Sequence, residues 1–167
     1  MKELIATALD YKRKIRSIKI STLSCTDPII KEDRKFLDLL LAKGSKSEIV
    51  IYLGVDPVKI EEDCPEAAEK LKDLINIHEA KIFYHRKIHA KLLLVDSKDE
   101  KIIYLSTSNF TEMGFNNNFE LGVAFFLKEE SEYIVYDIYE KRFIEILKKW
   151  TPPIVYIDEE NNLAWDR

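Results

Sequence analysis

The sequence has few of the residues that cross-link or interrupt a chain. Of its 167 residues only Cys25 and Cys64 are cysteines, and neither belongs to a CxxC pair, so neither a disulfide framework nor a zinc site is indicated. Four glycines and five prolines leave no long flexible linker, and no repeat or low-complexity tract is visible. The length suits one compact domain, and we expect residues 1–167 to form it.

The sequence also lacks a long apolar run and an excess of positive charge. No segment approaches the roughly 20 apolar residues of a membrane span, and the N-terminal stretch meets Asp10 early, without a small-residue cleavage site. We therefore expect no membrane span and a cytoplasmic location. Lys and Arg number 26 against 30 Asp and Glu, a formal charge of −4, so a nucleic-acid partner would need a local basic patch.

Short β-branched segments alternate with helical segments in the first half of the chain. The strands predicted there are 18–24, 48–53 and 80–85. Three further strands follow one another with no room for a helix between them, at 89–96, 101–108 and 119–127. The first set indicates an α/β sheet, and the second set should form neighbouring, at least partly antiparallel strands. We predict an α/β fold, with a mixed β-sheet flanked by helices on both faces.

Caps and apolar periodicity predict the helices. One should begin at Asp27-Pro28 and end near Gly44, and another should begin at a capping box formed by Asp63 and Glu66. A last helix, which Pro152-Pro153 ends, carries an apolar stripe that we interpret as core: Tyr139, Phe143, Ile146, Leu147 and Trp150. The tail 154–167 is either an edge strand or a dimer contact.

The stretch "HRKIHAKLLLVD", residues 85–96, places basic side chains directly before apolar ones. Because side chains alternate along a strand, His89 and Lys91 should point to the same face, about 7 Å apart. An ammonium beside an imidazole suits a bound phosphate, since lysine supplies charge and donors while neutral histidine acts as nucleophile or proton carrier. An arbitrary pair of this kind is more often a strand end that emerges into solvent.

The residues around this pair carry a family resemblance. His89, Lys91 and Asp96 match HxKx4D, and "STSN" begins ten residues after Asp96. The segment 89–123 resembles the HKD motif of the phospholipase D superfamily, whose usual form is HxKx4D followed by GSxN and an acidic residue. His85 has a lysine at the same spacing, but leucine stands where the aspartate should be, so only His89 fits. The chain is similar to the single-motif, nuclease-like members of that superfamily.

The resemblance implies roles for the motif residues. His89 would be the nucleophilic or acid histidine, and Lys91 and Asn109 would bind phosphate oxygens. Thr107 stands where the family usually has serine and Ser106 where it has glycine. Thr107 keeps a hydroxyl for the phosphate, although its methyl group and the lost glycine would tighten the pocket.

Three further residues follow from the same resemblance. Glu120 is expected to accept a hydrogen bond from the catalytic imidazole and so to fix its orientation. Asp96 is expected to support the structure. Asn118 either lines the site or belongs to a turn.

Phosphodiester cleavage needs an attacking atom, charge stabilisation at the phosphoryl oxygens and an acid for the leaving group. One histidine cannot attack and protonate on opposite sides of the phosphorus, and only His89 lies in the motif. A homodimer in which two copies of His89 meet at the two-fold axis would solve this, with a phosphohistidine intermediate. No cofactor and no metal are expected, because cationic side chains stand where a metal would.

The substrate is less well defined, because the motif recognises only a phosphodiester. We expect a nuclease that acts on DNA or RNA, with local basic patches at 11–19 and 85–87. A phosphodiesterase for phospholipid or small phosphodiesters is an alternative. Another is a non-catalytic nucleic-acid-binding or assembly module that has lost turnover through the changes at Ser106 and Thr107.

Overall fold

The structure is a computed structural model, which describes residues 1–10, 12–31, 33–43, 47–116 and 120–166. Its strands are β1 (Ile15–Thr22), β2 (Ile29–Lys31), β3 (Arg34–Lys35), β4 (Glu48–Leu53), β5 (Lys81–Tyr84), β6 (Leu92–Ser97), β7 (Lys101–Ser106), β8 (Gly122–Leu127), β9 (Val155–Ile157) and β10 (Leu163–Trp165). Its α-helices are α1 (Lys2–Ala8), α2 (Phe36–Leu41), α3 (Pro57–Asp63), α4 (Pro65–His78), α5 (Glu112–Asn116) and α6 (Tyr133–Trp150), with a 3₁₀ turn at Glu130–Glu132. None of these helices is long and apolar enough to cross a membrane.

Six strands form the central sheet, in the order β5-β4-β1-β6-β7-β8. β1, β4 and β5 run parallel, whereas β6, β7 and β8 pair antiparallel to their neighbours. The mixed sheet predicted from the sequence is therefore confirmed. Its parallel half comes from the segments in which strands and helices alternate, and its antiparallel half from the three later strands. A short turn joins β6 to β7. The expectation that no helix fits among these strands is wrong, because α5 lies between β7 and β8.

Helices cover both faces of this sheet, as predicted. Successive residues of β6 point to opposite sides, so Leu93 and Val95 join one core cluster and Leu92 and Leu94 the other. Residues of α1, α2 and α4 complete the first cluster, and residues of α6 complete the second. The helix predicted before Pro152 is confirmed as α6.

The helix predicted from Asp27-Pro28 to Gly44 is wrong in its first half. The short β2–β3 hairpin follows Pro28, and α2 begins only at Phe36. Asp27 nevertheless binds the start of this helix, because its buried carboxylate accepts a 2.6 Å hydrogen bond from the Leu37 N–H. Lys70 also donates to this carboxylate, at 2.7 Å. The aspartate thus stabilises the helix start through a long-range contact instead of a local cap.

The capping box predicted at Asp63 and Glu66 is also absent from this part of the structure. Asp63 is the last residue of α3, and α4 begins at Pro65 after the single intervening residue Cys64. The Glu66 carboxylate pairs instead with the Lys35 ammonium, at 2.5 Å. The proline at the first helical position, rather than a capping box, marks the start of α4.

The tail forms the β9–β10 hairpin beside β5. The Tyr84 N–H donates to the Pro153 carbonyl at 3.1 Å, and the Tyr84 ring meets the Trp165 ring edge to face at 4.8 Å. The Trp165 indole N–H donates to Asp56 at 2.9 Å. The hairpin therefore packs against the β5 edge of its own chain as a separate two-stranded sheet, rather than as an added edge strand of the central sheet. A dimer contact of the tail stays a prediction.

Candidate active site

The candidate histidine and lysine lie on the segment that enters β6. β6 begins at Leu92, so the strand predicted from position 89 starts three residues later than expected. The Lys91 carbonyl still accepts a hydrogen bond from the Ser106 N–H at 3.1 Å, which extends the pairing with β7 by one residue. The backbone of Lys91 is therefore fixed by the sheet, while His89 stands just beyond it.

The turn that precedes His89 packs closely against Gly54, which holds it in place. The Ile88 N–H donates to the His85 carbonyl at 2.9 Å, and the Ile88 side chain is buried in the second core cluster. A Cβ atom at Gly54 would overlap the Ile88 carbonyl, so only glycine lets this turn lie against the end of β4. The turn carries His89 to the sheet edge at which β1, β4 and β5 end.

The His89 and Lys91 side chains are in direct contact. The Lys91 Nζ atom lies 3.0 Å from His89 Nδ1 and 3.4 Å from Nε2. Because an ammonium group can only donate, the imidazole nitrogen that it meets acts as an acceptor. The His89 side chain is exposed and Lys91 is half-buried. An imidazole and a cation are thus presented together at an open surface.

Partial burial and an acidic neighbour shift the pKa of Lys91 in opposite directions. Burial lowers the pKa of the Lys91 ammonium below its ordinary value, and the negative charge of Glu120 partly offsets this effect. Glu120 thus lies close enough to Lys91 to interact with its charge. The predicted acidic residue and the predicted phosphate ligand belong to one cluster.

Hydrogen bonds between the end of β7 and the start of β8 fix Thr107 and Glu120. The Thr107 hydroxyl donates to the Glu120 carboxylate in a very short hydrogen bond, and the Thr107 oxygen accepts from the Leu121 N–H at 3.0 Å. The Thr107 N–H donates to the Leu121 carbonyl at 2.9 Å. The hydroxyl that the motif places at position 107 therefore helps to hold the end of β7 against the start of β8. The predicted hydrogen bond between Glu120 and His89 stays a prediction.

The segment after Thr107 is bound to the end of β1. The Phe110 N–H contacts the Thr22 hydroxyl at 3.4 Å, and the Ser106 hydroxyl accepts from the Ser108 N–H at 2.9 Å. Between these anchors, the buried Asn109 Oδ1 atom has no hydrogen-bond partner among the described residues. Because an amide oxygen only accepts hydrogen bonds, this atom is suited to a water molecule or to a donor group of a ligand, and a phosphate oxygen would have to bind the Asn109 NH₂ group instead. Thr22 has no motif signal in the sequence, because its contact with Phe110 spans 88 positions.

Two of the predicted residues lie elsewhere. The Asp96 carboxylate pairs with the Arg16 guanidinium at 2.5 Å, at the far end of β6 and about 17 Å along the strand from Lys91. Asp96 therefore binds neighbouring strands together and does not reach the site. Asn118 lies outside the described residues. Within the described ranges, no three His, Cys, Asp or Glu side chains are grouped so as to hold a metal ion.

An exposed apolar surface adjoins the site on β8. Leu121, Val123 and Phe125 alternate along the chain and so share one face, where they are 66%, 45% and 43% exposed. We refer to these three residues as the β8 apolar face. Val123 pairs with Leu105 of β7, one residue before Ser106 and two before Thr107. Large apolar side chains are thus exposed directly beside the charged cluster.

Known structures share this fold. NucT from Helicobacter pylori is 16% identical, with a TM-score of 0.51 and 86% of each chain covered. Nuc from Salmonella typhimurium, a phospholipase D family member, is 17% identical, with a TM-score of 0.54, and the similarity covers 99% of this chain and 90% of Nuc. Polyphosphate kinase from Porphyromonas gingivalis is 20% identical, with a TM-score of 0.57, over 89% of this chain and 24% of the kinase.

At these identities the similarity establishes the fold alone. No curated protein matches the sequence. Residues 11–146, however, match the family model described as cardiolipin synthase, PLD-like domain. The matched range contains His89, Lys91, Asn109 and Glu120. Because it also spans most of the 167 residues, the chain belongs to the PLD-like domain family of the phospholipase D superfamily.

Proposed function

We propose that this protein is a phosphodiesterase that needs no metal ion, and that it acts as a nuclease. The observation that carries the proposal is the contact between the Lys91 ammonium and the His89 ring at an exposed surface. Positive charge is placed where phosphoryl oxygens would bind, and the imidazole that would attack the phosphorus lies beside it. Thr107 and Glu120 beside them complete a polar cluster with the composition that such a reaction requires.

The proposed reaction uses two copies of His89. One imidazole nitrogen attacks the phosphorus, a P–N bond forms, and the P–O bond to the leaving alcohol breaks. The leaving oxygen takes its proton from the imidazolium of the second His89. In the second half, this imidazole removes a proton from water as the water oxygen attacks the phosphorus, and the P–N bond breaks. Lys91 and Asn109 would bind the non-bridging oxygens throughout.

The second histidine is proposed to come from a second copy of the chain, packed against the β8 apolar face. Val123 and its two apolar neighbours lie next to Thr107, so a copy bound there would be brought to the edge of the charged cluster. A two-fold axis beside this strand would place the two His89 side chains on opposite sides of one phosphate. The dimer would thus cover an exposed apolar surface and complete the site at once.

Ion pairs in the structure favour one of the two basic stretches as a contact for nucleic acid. In the stretch 11–19, cations are paired with acidic residues, among them Arg13 with Glu100, Arg16 with Asp96 and Lys19 with Glu140. Charges that are neutralised in this way attract phosphate less strongly. In the stretch 85–87, by contrast, Arg86 and Lys87 are exposed and directly precede the catalytic segment. We therefore assign the substrate backbone to this second stretch.

The direct test is cleavage in EDTA. Labelled single- and double-stranded DNA and RNA, and a soluble bis-phosphodiester, are incubated with the wild type, beside a His89→Asn preparation that reveals contaminating nuclease. We expect cleavage of at least one polymer by the wild type alone, undiminished by EDTA. Loss of cleavage on chelation would contradict the proposed mechanism. A folded wild type that binds nucleic acid yet cleaves none of the substrates would instead indicate the non-catalytic module.

A pH profile tests the role of Lys91. Because burial lowers the pKa of its ammonium, and phosphate binding needs the charged form, the affinity of the His89→Asn protein for an oligonucleotide should decline on the alkaline side at a pH below 10.5. In Glu120→Gln the carboxylate that raises this pKa is gone, so the decline should move to still lower pH. In Lys91→Arg it should disappear, since a guanidinium stays charged. An alkaline decline that is unchanged in Lys91→Arg would assign it to another group.

A further inference from the structure

We propose that the stacked rings of His85 and Trp150, together with the cations around them, form a platform on which bases of single-stranded nucleic acid stack. This inference rests on the proposed nuclease function and names the form of its substrate. It concerns a surface outside the His89 cluster: the base platform, which consists of His85, Arg86, Lys87, Lys149 and Trp150.

The two rings are held in the geometry of a base stack. Their centroids are 5.0 Å apart and their planes differ by only 9°. His85 directly follows β5, and Trp150 is the last residue of α6, so distant parts of the chain converge to build this pair. Trp150 is partly buried against the second core cluster, which fixes one side of the stack, yet both residues keep part of their surface exposed. Flat rings in this position offer bases a sequence-independent stacking surface.

The side chains next to the rings are cationic. Arg86 and Lys87 are exposed beside His85, and the Lys149 Nζ atom lies 5.7 Å from the centre of the Trp150 ring. Burial lowers the pKa of His85, and so do the charges of Lys87 and Arg86, which confirms that both charges act on the ring. A neutral ring surrounded by positive charge favours a ligand that combines flat bases with phosphates.

The platform lies within reach of the candidate nucleophile. His89 follows His85 by four positions, a span of at most about 14 Å, and the hydrogen bond from the Ile88 N–H to the His85 carbonyl shortens this distance further. One short oligonucleotide can therefore contact both. Its bases must have free faces in order to stack, and a duplex hides those faces. The platform thus predicts single-stranded DNA or RNA as the preferred ligand.

Trp165 provides an internal comparison, because the sequence has two tryptophans. The Trp165 indole donates to the acidic Asp56 and packs on Tyr84. These contacts indicate that Trp165 stabilises the β9–β10 hairpin. Fluorescence from Trp150 can therefore be isolated in a Trp165→Phe background.

The experiment uses the full-length His89→Asn protein, so that bound strands are not cleaved. A labelled oligothymidylate of about 15 nucleotides is titrated by anisotropy, against an abasic strand of equal charge and a duplex of equal length. We expect Trp150→Ala to weaken binding of the single strand by roughly 5- to 150-fold, the range for loss of one stacked base, and Trp150→Phe to restore most of it. In the Trp165→Phe background the single strand should quench the Trp150 fluorescence, while the abasic strand leaves it unchanged.

Charge is tested separately. The double variant Arg86→Ala/Lys87→Ala should lower the slope of log affinity against log salt by about 1.4, since each lost phosphate contact on a single strand removes about 0.7. Lys98→Ala is the matched control, because Lys98 is exposed in the turn between β6 and β7, at the opposite end of β6 from Lys91. For Lys98→Ala, the slope of log affinity against log salt should equal that of the parent protein.

The platform is overturned if the abasic strand binds as tightly as the oligothymidylate, or if Trp150→Ala binds like its parent. Failure of the nuclease proposal would look different. A wild type that cleaves nothing, but whose variants show the expected binding losses, supports the platform and removes only the hydrolytic function. If Trp150→Ala cleaves the substrate with an unchanged KM, the base-platform proposal is contradicted and the proposed hydrolytic function is not affected.

Discussion

Replacing His89 with asparagine is expected to lower kcat for phosphodiester cleavage by at least about 10⁴-fold. Asparagine can still accept the hydrogen bond that Lys91 donates to the imidazole, so the local structure should persist. What it cannot do is form the P–N bond or supply a proton. In a symmetric dimer one substitution removes both the nucleophile and the acid, which is why the expected loss exceeds that of a single acid–base group.

The measurement is kcat on a chromogenic bis-phosphodiester and on an oligonucleotide, with circular dichroism to verify folding. His78→Asn is the matched control, since this histidine ends α4 before the start of β5, whereas the segment that carries His89 follows the opposite end of that strand, and the variant should retain full activity. Brief reaction with a ³²P-labelled substrate, quenched in base, should label the wild type and leave the His89 variant unlabelled. A His89→Asn protein with more than about a hundredth of the wild-type kcat would refute the covalent mechanism.

In the motif region, the sequence predicts which residues lie near one another, because they are only a few positions apart. His89 and Lys91 stand two positions apart, and the structure brings their side-chain nitrogens to 3.0 Å. The predicted strand face is not what joins them, because β6 begins only at Leu92 and includes neither residue. The motif places Glu120 on the imidazole and Thr107 at the phosphate, so the hydrogen bond between Thr107 and Glu120 was not among the predicted contacts. It arises because the antiparallel pairing of β7 with β8 brings the neighbouring ends of the two strands together.

Contacts between distant segments could not be predicted in the same way. Asp27-Pro28 has the local pattern of a helix start, yet the chain forms a hairpin there and the carboxylate of Asp27 binds a helix ten residues on. Likewise, Trp150 has the helical spacing of a core residue, and only the meeting of α6 with the end of β5 places it on His85. Tertiary packing decided both cases, and a single sequence carries no record of it.

Placing an arginine at Val123 is expected to separate the proposed dimer and to reduce cleavage nearly as far as the His89 substitution does. Val123 is the middle residue of the β8 apolar face and is 45% exposed in the single chain, so a longer charged side chain there should be tolerated by the fold. In a packed interface the same charge would lose its water without gaining a partner, which is strongly unfavourable. Each separated subunit would keep one His89 and lack the second. Sedimentation velocity and kcat on the same samples measure both effects.

Ile77→Arg is the matched control, because Ile77 is also exposed, at 61%, but lies near the end of α4, away from the β8 apolar face. It should remain dimeric and active. A Val123→Arg protein that is monomeric and fully active would show that one chain holds a complete site.

Subunit mixing tests the same point without disturbing the interface. In a shared site, about a nine-to-one excess of His89→Asn chains should lower activity per wild-type chain about tenfold once subunits exchange. Independent sites would leave it unchanged, so this ratio separates a histidine borrowed from the second subunit from a dimer that merely stabilises each site.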